Sequence, residues 1–176
     1  MAPGAPGLTI IPGFLGEARL ALLDSVLARE SHFTLATVSI GGGRAVVEGV
    51  RRARVLETLE PRVGTFLERL RRISPQGRIE HQIAASNDGD YFRAHIDGGP
   101  DDTRAVTFVY FLHSEPRRFS GGELIVASNP VEPCGDTLVL FPSNAVHEVL
   151  PVHAPSRAFA DSRFTVNGWI HRDPPR

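Results

Sequence analysis

The second half of the chain places the strongest constraint on the fold. From about residue 78, short apolar runs alternate with clusters of turn residues such as Asn87-Asp88-Gly89. Seven strands are predicted, at 79–84, 91–95, 105–112, 123–127, 137–141, 148–151 and 164–171. Strands at this spacing, with no helical segments between them, favour a mostly β, double-sheet jelly-roll barrel over a fold of alternating strands and helices.

The first 77 residues instead show helical periodicity and are expected to buttress the barrel. Apolar residues recur at helical spacing in 17–29 and again in about 55–73, where Pro61 is expected to start or restart the second helix. Gly41-Gly42-Gly43 lies between them and is interpreted as a turn, since no lysine and no GxGxxG pattern follows it. A chain of 176 residues without a biased linker is expected to form one domain.

Composition excludes several kinds of chemistry and of partner. All 19 basic residues are arginine, which rules out a lysine nucleophile, a Schiff base and a P-loop lysine. The single cysteine, Cys134, excludes an intramolecular disulfide and any multi-cysteine zinc site. A net charge of −1 argues against a nucleic-acid partner. No run is long and apolar enough to span a bilayer, and no signal peptide is evident, so we expect a cytoplasmic protein without a membrane partner.

Two groups of arginines in the N-terminal half are interpreted as solvated surface. The groups are Arg51, Arg52 and Arg54, and then Arg62, Arg69, Arg71 and Arg72, with Glu57, Glu60 and Glu68 nearby. Helical spacing between the two signs of charge predicts ion pairs along a helix face and not a site for an anionic partner.

The candidate site residues lie in the strand half. His95 and Asp97 are two positions apart, so on an extended chain their side chains point to the same side. His147 follows the strand predicted at 137–141, and Arg163 begins the last strand. Two histidines and one carboxylate can bind iron on one face and leave three positions open for a chelating cosubstrate and dioxygen. An arginine inside the same barrel is suited to hold a carboxylate through two hydrogen bonds.

Six motifs in sequence order then carry a family resemblance. They are GDYFRAHID at 89–97, RAVTFVYFL at 104–112, SGGEL at 120–124, PCGD at 133–136, LFPS at 140–143 and HEVLPV at 147–152, followed by Arg163 and Trp169. This order resembles the prolyl-4-hydroxylase-like branch of the iron(II)/2-oxoglutarate-dependent dioxygenases. The resemblance covers about residues 78–172 and implies a double-stranded β-helix (cupin-like) core there, with 1–77 as mainly helical support within a single dioxygenase domain, 1–176.

The resemblance implies an activity and a set of cofactors. It implies an EC 1.14.11-type hydroxylase that acts on an unactivated C–H bond while 2-oxoglutarate is decarboxylated to succinate. Fe(II), 2-oxoglutarate and O2 are the implied cofactor and cosubstrates, with ascorbate as a further candidate. His95, Asp97 and His147 match the family's catalytic iron ligands, and Arg163 matches the residue that binds the distal carboxylate of 2-oxoglutarate. Because a carboxylate ligand leaves no coordination position for halide, hydroxylation is implied over halogenation.

Two positions depart from the family's pattern near the cosubstrate. Relatives often carry a tyrosine nine or ten residues before the first histidine, where this chain has Ser86 and Ala85. They also often carry a tyrosine where this chain has Phe111. Either Thr107 or Thr165 assists the cosubstrate-binding arginine, or the pocket around 2-oxoglutarate is looser.

Other residues are assigned with less specific roles. Tyr91, Arg93 and Arg104 lie beside the iron motif, where contact with substrate and plain surface charge both remain open. Structural roles are expected for His81, His113, His153 and His171. The pair Arg117-Arg118 is expected in a solvated loop. Trp169 is expected in the core with its N–H hydrogen-bonded.

The sequence leaves the substrate and the oligomeric state open. A prolyl residue of a peptide, a free amino acid and a natural-product intermediate all fit the resemblance as substrate. The alternative function is a sensor or interaction module that binds metal and 2-oxoglutarate on the same barrel without turnover. A third hypothesis is a cupin-like metalloenzyme of another reaction type, for which Arg163→Ala would leave activity intact.

Overall fold

A computed structural model describes residues 7–40, 43–56, 63–100 and 102–173. The α-helices in this part of the chain are α1 (Ala18–Leu27) and α2 (Gly64–Ile73), and two short 3-10 helices lie at Glu30–His32 and Phe159–Asp161. The strands are β1 (Thr9–Pro12), β2 (Thr34–Leu35), β3 (Val38–Ile40), β4 (Gly43–Ala45), β5 (Arg51–Arg52), β6 (Arg54–Leu56), β7 (Ile79–Ser86), β8 (Tyr91–His95), β9 (Arg104–Leu112), β10 (Ser120–Gly121), β11 (Leu124–Val126), β12 (Asn129–Val131), β13 (Thr137–Pro142), β14 (His147–Val149), β15 (Val152–His153) and β16 (Arg163–His171). Neither α-helix has the length and hydropathy of a membrane-spanning segment.

Two antiparallel sheets form the body of the fold. The larger sheet has the order β1-β13-β9-β16-β7-β6-β2, and the smaller has the order β12-β11-β14-β8-β5. All seven predicted strands are present, as β7, β8, β9, β11, β13, β14 and β16, which confirms the jelly-roll prediction. Among the described residues no strand pairing joins the two sheets into a closed barrel, so they pack face to face.

Alternation along the strands of the larger sheet separates an apolar face from the face that meets the smaller sheet. Phe108 and Tyr110 of β9 are fully buried in the main core, which also contains Phe66 and Leu70 of α2. The alternate residues Val109 and Phe111 point to the other face and pack with residues of the smaller sheet in a second core. Because side chains alternate between the two faces, each long strand is anchored to the helices by one set and lines the inter-sheet space with the other.

The helical predictions are confirmed in part. The first predicted helix appears as α1, and the second appears as α2 only from Gly64. The prediction of a helix at Val55 and Leu56 is wrong, because both belong to β6 and pair with Ala84 and Ile83 of β7. Both side chains are buried there, so sheet pairing prevails over helical periodicity in this short segment. Pro61 and most of the glycine turn lie outside the described residues.

A buried carboxylate connects the loop before α1 to the larger sheet. Asp136 accepts hydrogen bonds from the backbone N–H of Leu15 (2.7 Å) and Gly16 (2.8 Å) and from the hydroxyl of Tyr110 (2.9 Å). Asp136 has a positive φ of 59°, a conformation that aspartate tolerates better than most residues. These bonds hold the helical layer against the sheet whose opposite face forms the site described next.

Candidate active site

Strand pairing brings the two candidate histidines together. His95 ends β8 and His147 begins β14, and the antiparallel register places them directly opposite each other. Asp97 follows β8 by two residues, and its carboxylate lies 3.2 Å from Nε2 of His147 and 3.5 Å from Nε2 of His95. One ligand atom from each of the three side chains can be chosen so that all lie within 4.8 Å of one another.

Backbone carbonyl groups orient both imidazole rings. Nδ1 of His95 lies 2.7 Å from the carbonyl oxygen of Arg93, and Nδ1 of His147 lies 3.0 Å from that of Ala145. Since a carbonyl can only accept, each Nδ1 carries its hydrogen and each Nε2 faces Asp97. Two nitrogen lone pairs and a carboxylate facing each other repel unless a proton or a cation lies between them. The donor set therefore fits a metal ion bound by two histidines and one carboxylate.

Asp97 is itself held in place by neighbouring donors. The hydroxyl of Thr107 donates to Oδ2 of Asp97 at 2.8 Å and lies 3.1 Å from the hydroxyl of Ser143. Burial acts to raise the pKa of Asp97. With a proton between the groups in place of a cation, hydrogen bonds from His147 and His95, together with the one from Thr107, outweigh burial and hold this pKa well below its usual range. The carboxylate is thus ionised over the whole physiological pH range, as a metal ligand must be.

Arg163 lies at the start of β16 with its charged group buried and largely unpaired. The residue is 3% exposed, and its Nε and Nη2 atoms have no hydrogen-bond partner among the described residues. Its guanidinium carbon lies 5.0 Å from the ring centre of Phe111. Burial lowers the pKa of Arg163 to about 10, with the charge of Glu123 opposing the shift, so the group remains a cation at neutral pH. Buried donors of this kind are expected to have an acceptor, and a ligand in the adjoining space can supply it.

A glycine makes room for the Arg163 side chain. A Cβ atom added at Gly122 would lie 2.7 Å from Cδ of Arg163 and 2.9 Å from Cγ2 of Val152. Gly122 also has a φ of +73°, which other residues rarely adopt. The SGGEL motif thus contributes a backbone position that shapes the arginine's environment.

One cavity of about 1100 Å³ between the sheets contains both groups of residues. It is lined by His95, Asp97 and His147 on one side and by Arg163 on the other. A ligand that occupied it could therefore contact a bound metal and the arginine at once. A volume of this size exceeds what a five-carbon dicarboxylate needs, which leaves space for a second molecule.

The two candidate threonines both line this cavity but have different partners. Thr107 directs its hydroxyl to Asp97, as described above, and not to Arg163. Thr165 donates to Oδ1 of Asn167 at 3.2 Å. Ser86, at one of the positions where relatives often carry tyrosine, is buried in the cavity wall directly opposite Arg163 in the β7–β16 pairing.

The substrate candidates separate into residues inside and outside the cavity. Tyr91 lines it and donates its hydroxyl to the carbonyl of Glu48 at 2.5 Å. Arg104 also lines it and stacks 3.9 Å above the ring of Trp169. Arg93 is exposed over the ring of Tyr91 and does not belong to the described cavity lining.

Several cavity residues were missed in the sequence. Trp169 lines the cavity, and its buried indole N–H has no partner within the described chain, contrary to the expected hydrogen-bonded core position. Asn167 and His171 share its face of β16, and period-two counting from Arg163 could have found all three. His81 also lines the cavity, with an unpartnered Nδ1 and a pKa lowered by burial.

Arg51 is a further cavity residue that the sequence analysis missed, and the prediction that it lies on a helix surface is wrong. Residue 51 lies in β5 and not in a helix, and its guanidinium carbon lies 4.8 Å from the ring centre of Phe92 in the cavity wall. The Phe92 ring in turn stacks on His95, with ring centres 3.7 Å apart and planes 20° apart. No periodic signal marks this role, because β5 is two residues long.

The other residues assigned to structure have protein partners. Nδ1 of His113 lies 3.0 Å from the carbonyl of Ser114, and Nδ1 of His153 lies 3.2 Å from the carboxylate of Asp88. Cys134 is exposed and carries a free thiol. These contacts agree with the structural roles expected for the two histidines.

Comparison with known proteins places this geometry in a family. Residues 81–171, just over half of the chain, match the model of the 2OG-Fe(II) oxygenase superfamily. A curated relative, an uncharacterised PKHD-type hydroxylase of Synechocystis sp., is 43% identical over 110 residues, which cover 53% of this chain and 36% of that protein. The chain thus matches little more than a third of that relative's length.

Solved structures show the same fold at lower sequence identity. A Pseudomonas putida prolyl-4-hydroxylase aligns with a TM-score of 0.75 and 21% identity, covering 96% of this chain and 94% of that one. A Trichoplax adhaerens prolyl hydroxylase, in complex with a peptide fragment of a hypoxia inducible factor, aligns with a TM-score of 0.74 and 21% identity over 94% and 83% of the two chains. The family match and the shared architecture together show that the chain belongs to the 2OG-Fe(II) oxygenase superfamily and has the fold of its prolyl-4-hydroxylase-like members.

Proposed function

We propose that this protein is an Fe(II)- and 2-oxoglutarate-dependent hydroxylase. It would introduce one oxygen atom of O2 into an unactivated C–H bond of its substrate while 2-oxoglutarate is decarboxylated to succinate. The observation that carries this proposal is the arrangement of a His95–Asp97–His147 cluster and a buried, unpaired Arg163 guanidinium around one cavity.

The metal would be bound by Nε2 of both histidines and by one carboxylate oxygen of Asp97. When bound, Fe(II) supplies the redox chemistry that activates O2. The chain's own contribution is to orient these ligands: carbonyl groups hold the two Nδ1–H groups, and Thr107 holds the carboxylate. We therefore assign Thr107 to positioning Asp97 and not to direct contact with 2-oxoglutarate. Hydrogen bonds from such supporting residues commonly change metal affinity by about 10- to 100-fold.

The cosubstrate would be bound at the other side of the cavity. Arg163 can donate two parallel hydrogen bonds to the distal carboxylate of 2-oxoglutarate, and Phe111 offers it a ring face but no hydroxyl. Ser86 and Thr165 line the cavity beside Arg163 and are the hydroxyl groups we assign to this carboxylate in place of the family's tyrosines. The apolar surroundings of the arginine exclude water and strengthen the ion pair that would form.

The substrate is proposed by class only. The two solved structures described above are prolyl hydroxylases, and one of them is in complex with a peptide fragment. A prolyl residue in a peptide is therefore the first substrate to test, followed by free amino acids and natural-product intermediates. Tyr91 and Arg104 are the cavity residues proposed to contact it.

The decisive experiment is anaerobic addition of Fe(II) and 2-oxoglutarate to the purified protein. The complex should show the weak visible charge-transfer band of a metal-chelated 2-oxo acid, and His95→Ala should abolish it. His153→Ala is the matched control, because this side chain is exposed and contacts Asp88 outside the cavity. Folded wild-type protein without the band at saturating cosubstrate would refute the proposal.

A second function, a sensor that binds metal and 2-oxoglutarate without turnover, is favoured by the replacement of the family's tyrosine with Phe111. Both functions predict the charge-transfer band, so turnover must separate them. Under air and with ascorbate as added reductant, steady succinate release together with a +16 Da product from a proline peptide would exclude the sensor. A stable complex that releases no succinate with any tested substrate would support it.

A further inference from the structure

Two arginines form part of the cavity wall opposite the larger sheet. Arg44 of β4 donates from Nε to the hydroxyl of Thr37 at 2.9 Å, and Arg51 of β5 donates from Nη1 to the carbonyl of Thr37 at 3.2 Å. Thr37, Arg44 and Arg51 all line the cavity. One threonine thus holds two like charges side by side.

The charge around Arg51 is not balanced by the acids that line the cavity. Burial lowers the pKa of Arg51 to about 10; Asp97 acts to raise it and Arg44 acts to lower it. Asp97 is committed to the metal in the proposed function, and within the described chain Arg51 forms no salt bridge. Its only side-chain hydrogen bond there is the one to Thr37. The remaining guanidinium N–H groups have no acceptor among the described residues.

The acids elsewhere in the cavity are engaged with other cations. The carboxylate of Glu80 lies 3.7 Å from the guanidinium of Arg104 and 3.1 Å from Nε2 of His171. Asp102 accepts a hydrogen bond from the backbone N–H of Arg104 at 2.9 Å. This end of the cavity is therefore close to neutral, whereas no acid among the described residues forms a salt bridge with Arg51 on the other wall.

Arg51 also lies close to the proposed metal ligands. It stacks on Phe92, and Phe92 stacks on His95, so a single ring separates the guanidinium from the first histidine. Arg163, in contrast, belongs to the larger sheet. The larger sheet contributes Arg104 and Arg163 to the cavity, and the proposed function uses both, whereas it gives no role to Arg51 of the smaller sheet.

We propose that Arg51 binds a carboxylate of the primary substrate. This inference rests on the proposed function and narrows it to substrates that carry a carboxylate. The carboxylate can belong to a free amino acid or related small acid, or to the C-terminus of a peptide. The anion would pair with the charge of Arg51 and accept hydrogen bonds from guanidinium N–H groups that have no acceptor among the described residues.

The test compares acids with their uncharged amides. The protein is saturated with Zn(II) and 2-oxoglutarate, so that Arg163 is already occupied, and is titrated with L-proline against L-prolinamide and with acetyl-Ala-Pro-Ala against its C-terminal amide. The affinities are measured by calorimetry and by NMR of the arginine Nε–H groups. We expect at least one acid to bind about ten- to a hundredfold more tightly than its amide, the range given by hydrogen bonds to a charged group. The pair that shows this preference identifies the source of the carboxylate.

The variants assign the effect to Arg51. Arg51→Gln should bring the acid-to-amide ratio close to one, and Arg51→Lys should restore part of it because the charge is kept. Arg118→Gln, in an exposed loop, is the matched control and should leave the ratio unchanged. Equal affinity for acid and amide in both pairs would overturn the inference, as would an unchanged ratio in a folded Arg51→Gln protein. The charge-transfer band and succinate release test the proposed function separately. The wild-type protein can show these two signals without preferring acids to amides, and it can prefer acids without showing them.

Discussion

Replacing Arg163 with methionine is expected to affect the free protein and the cosubstrate complex in opposite directions. The side chain is 3% exposed, with two unpartnered nitrogen atoms, and its compensating contact is the ring of Phe111. Methionine is long and flexible enough to fill the same space. Substitution of buried ionic groups by apolar residues of similar volume can stabilise a protein by about 1–4 kcal/mol. We expect the free energy of unfolding of the ligand-free variant to rise within this range.

The same change should remove most of the affinity for 2-oxoglutarate. Loss of one partner of a buried, hydrogen-bonded charge pair weakens binding by about 2–5 kcal/mol. In wild-type protein, 2-oxoglutarate at a hundredfold excess over its Kd should add about 2.7 kcal/mol to the free energy of unfolding. At the same concentration the Arg163→Met protein should gain close to nothing.

Urea unfolding without ligands measures the free energy of unfolding of the ligand-free protein. The same measurement with Mn(II) and 2-oxoglutarate gives the stabilisation by the cosubstrate. Arg118→Met is the control for loss of a charge in an exposed position, and it should change neither quantity appreciably. The reasoning would be refuted by a ligand-free Arg163→Met protein that is less stable than wild type and is still stabilised by 2-oxoglutarate. Such a result would mean that the arginine is a structural group whose partners are satisfied.

Three further substitutions test the supporting residues. Thr107→Val removes the hydrogen bond to Asp97 and should lower metal affinity by about 10- to 100-fold in a competition titration. Gly122→Ala places a methyl group against Arg163 at a positive φ, so calorimetry should show weaker 2-oxoglutarate binding, and thermal unfolding a lower Tm. Asp136→Ala leaves buried N–H groups of the loop before α1 unpaired and should lower the free energy of unfolding by about 2 kcal/mol or more, measured in urea.

Long strands with one buried face were predictable from the sequence. The strand of Arg163 has nine residues, and its apolar members Phe164, Val166 and Ile170 alternate with the residues that line the cavity. A period of two is imposed by the extended backbone itself, so the shared face of Arg163 and Trp169 follows from counting. Which face meets the helices, and which lines a cavity, depends on the layers that pack against the sheet.

Short segments in the N-terminal half were not predictable in the same way. Residues 54–56 carry too few positions for a period of two to be distinguished from a helical period. Their strand state results from pairing with β7, more than twenty positions further along the chain. The helix prediction failed there because local periodicity contains no information about such a distant partner.

The sequence by itself determined which side chains are candidates for the site, and the tertiary structure decided how they lie together and what surrounds them. The spacing of His95 and Asp97 places both side chains on one side of an extended backbone, and the motif around His147 marks the third member. Their mutual distance and the position of Arg51 in the cavity wall arise only when β14 and β5 pair with opposite edges of β8. Pairing sets the lateral neighbours of a strand, and neighbours that are distant in sequence leave no periodic trace in it.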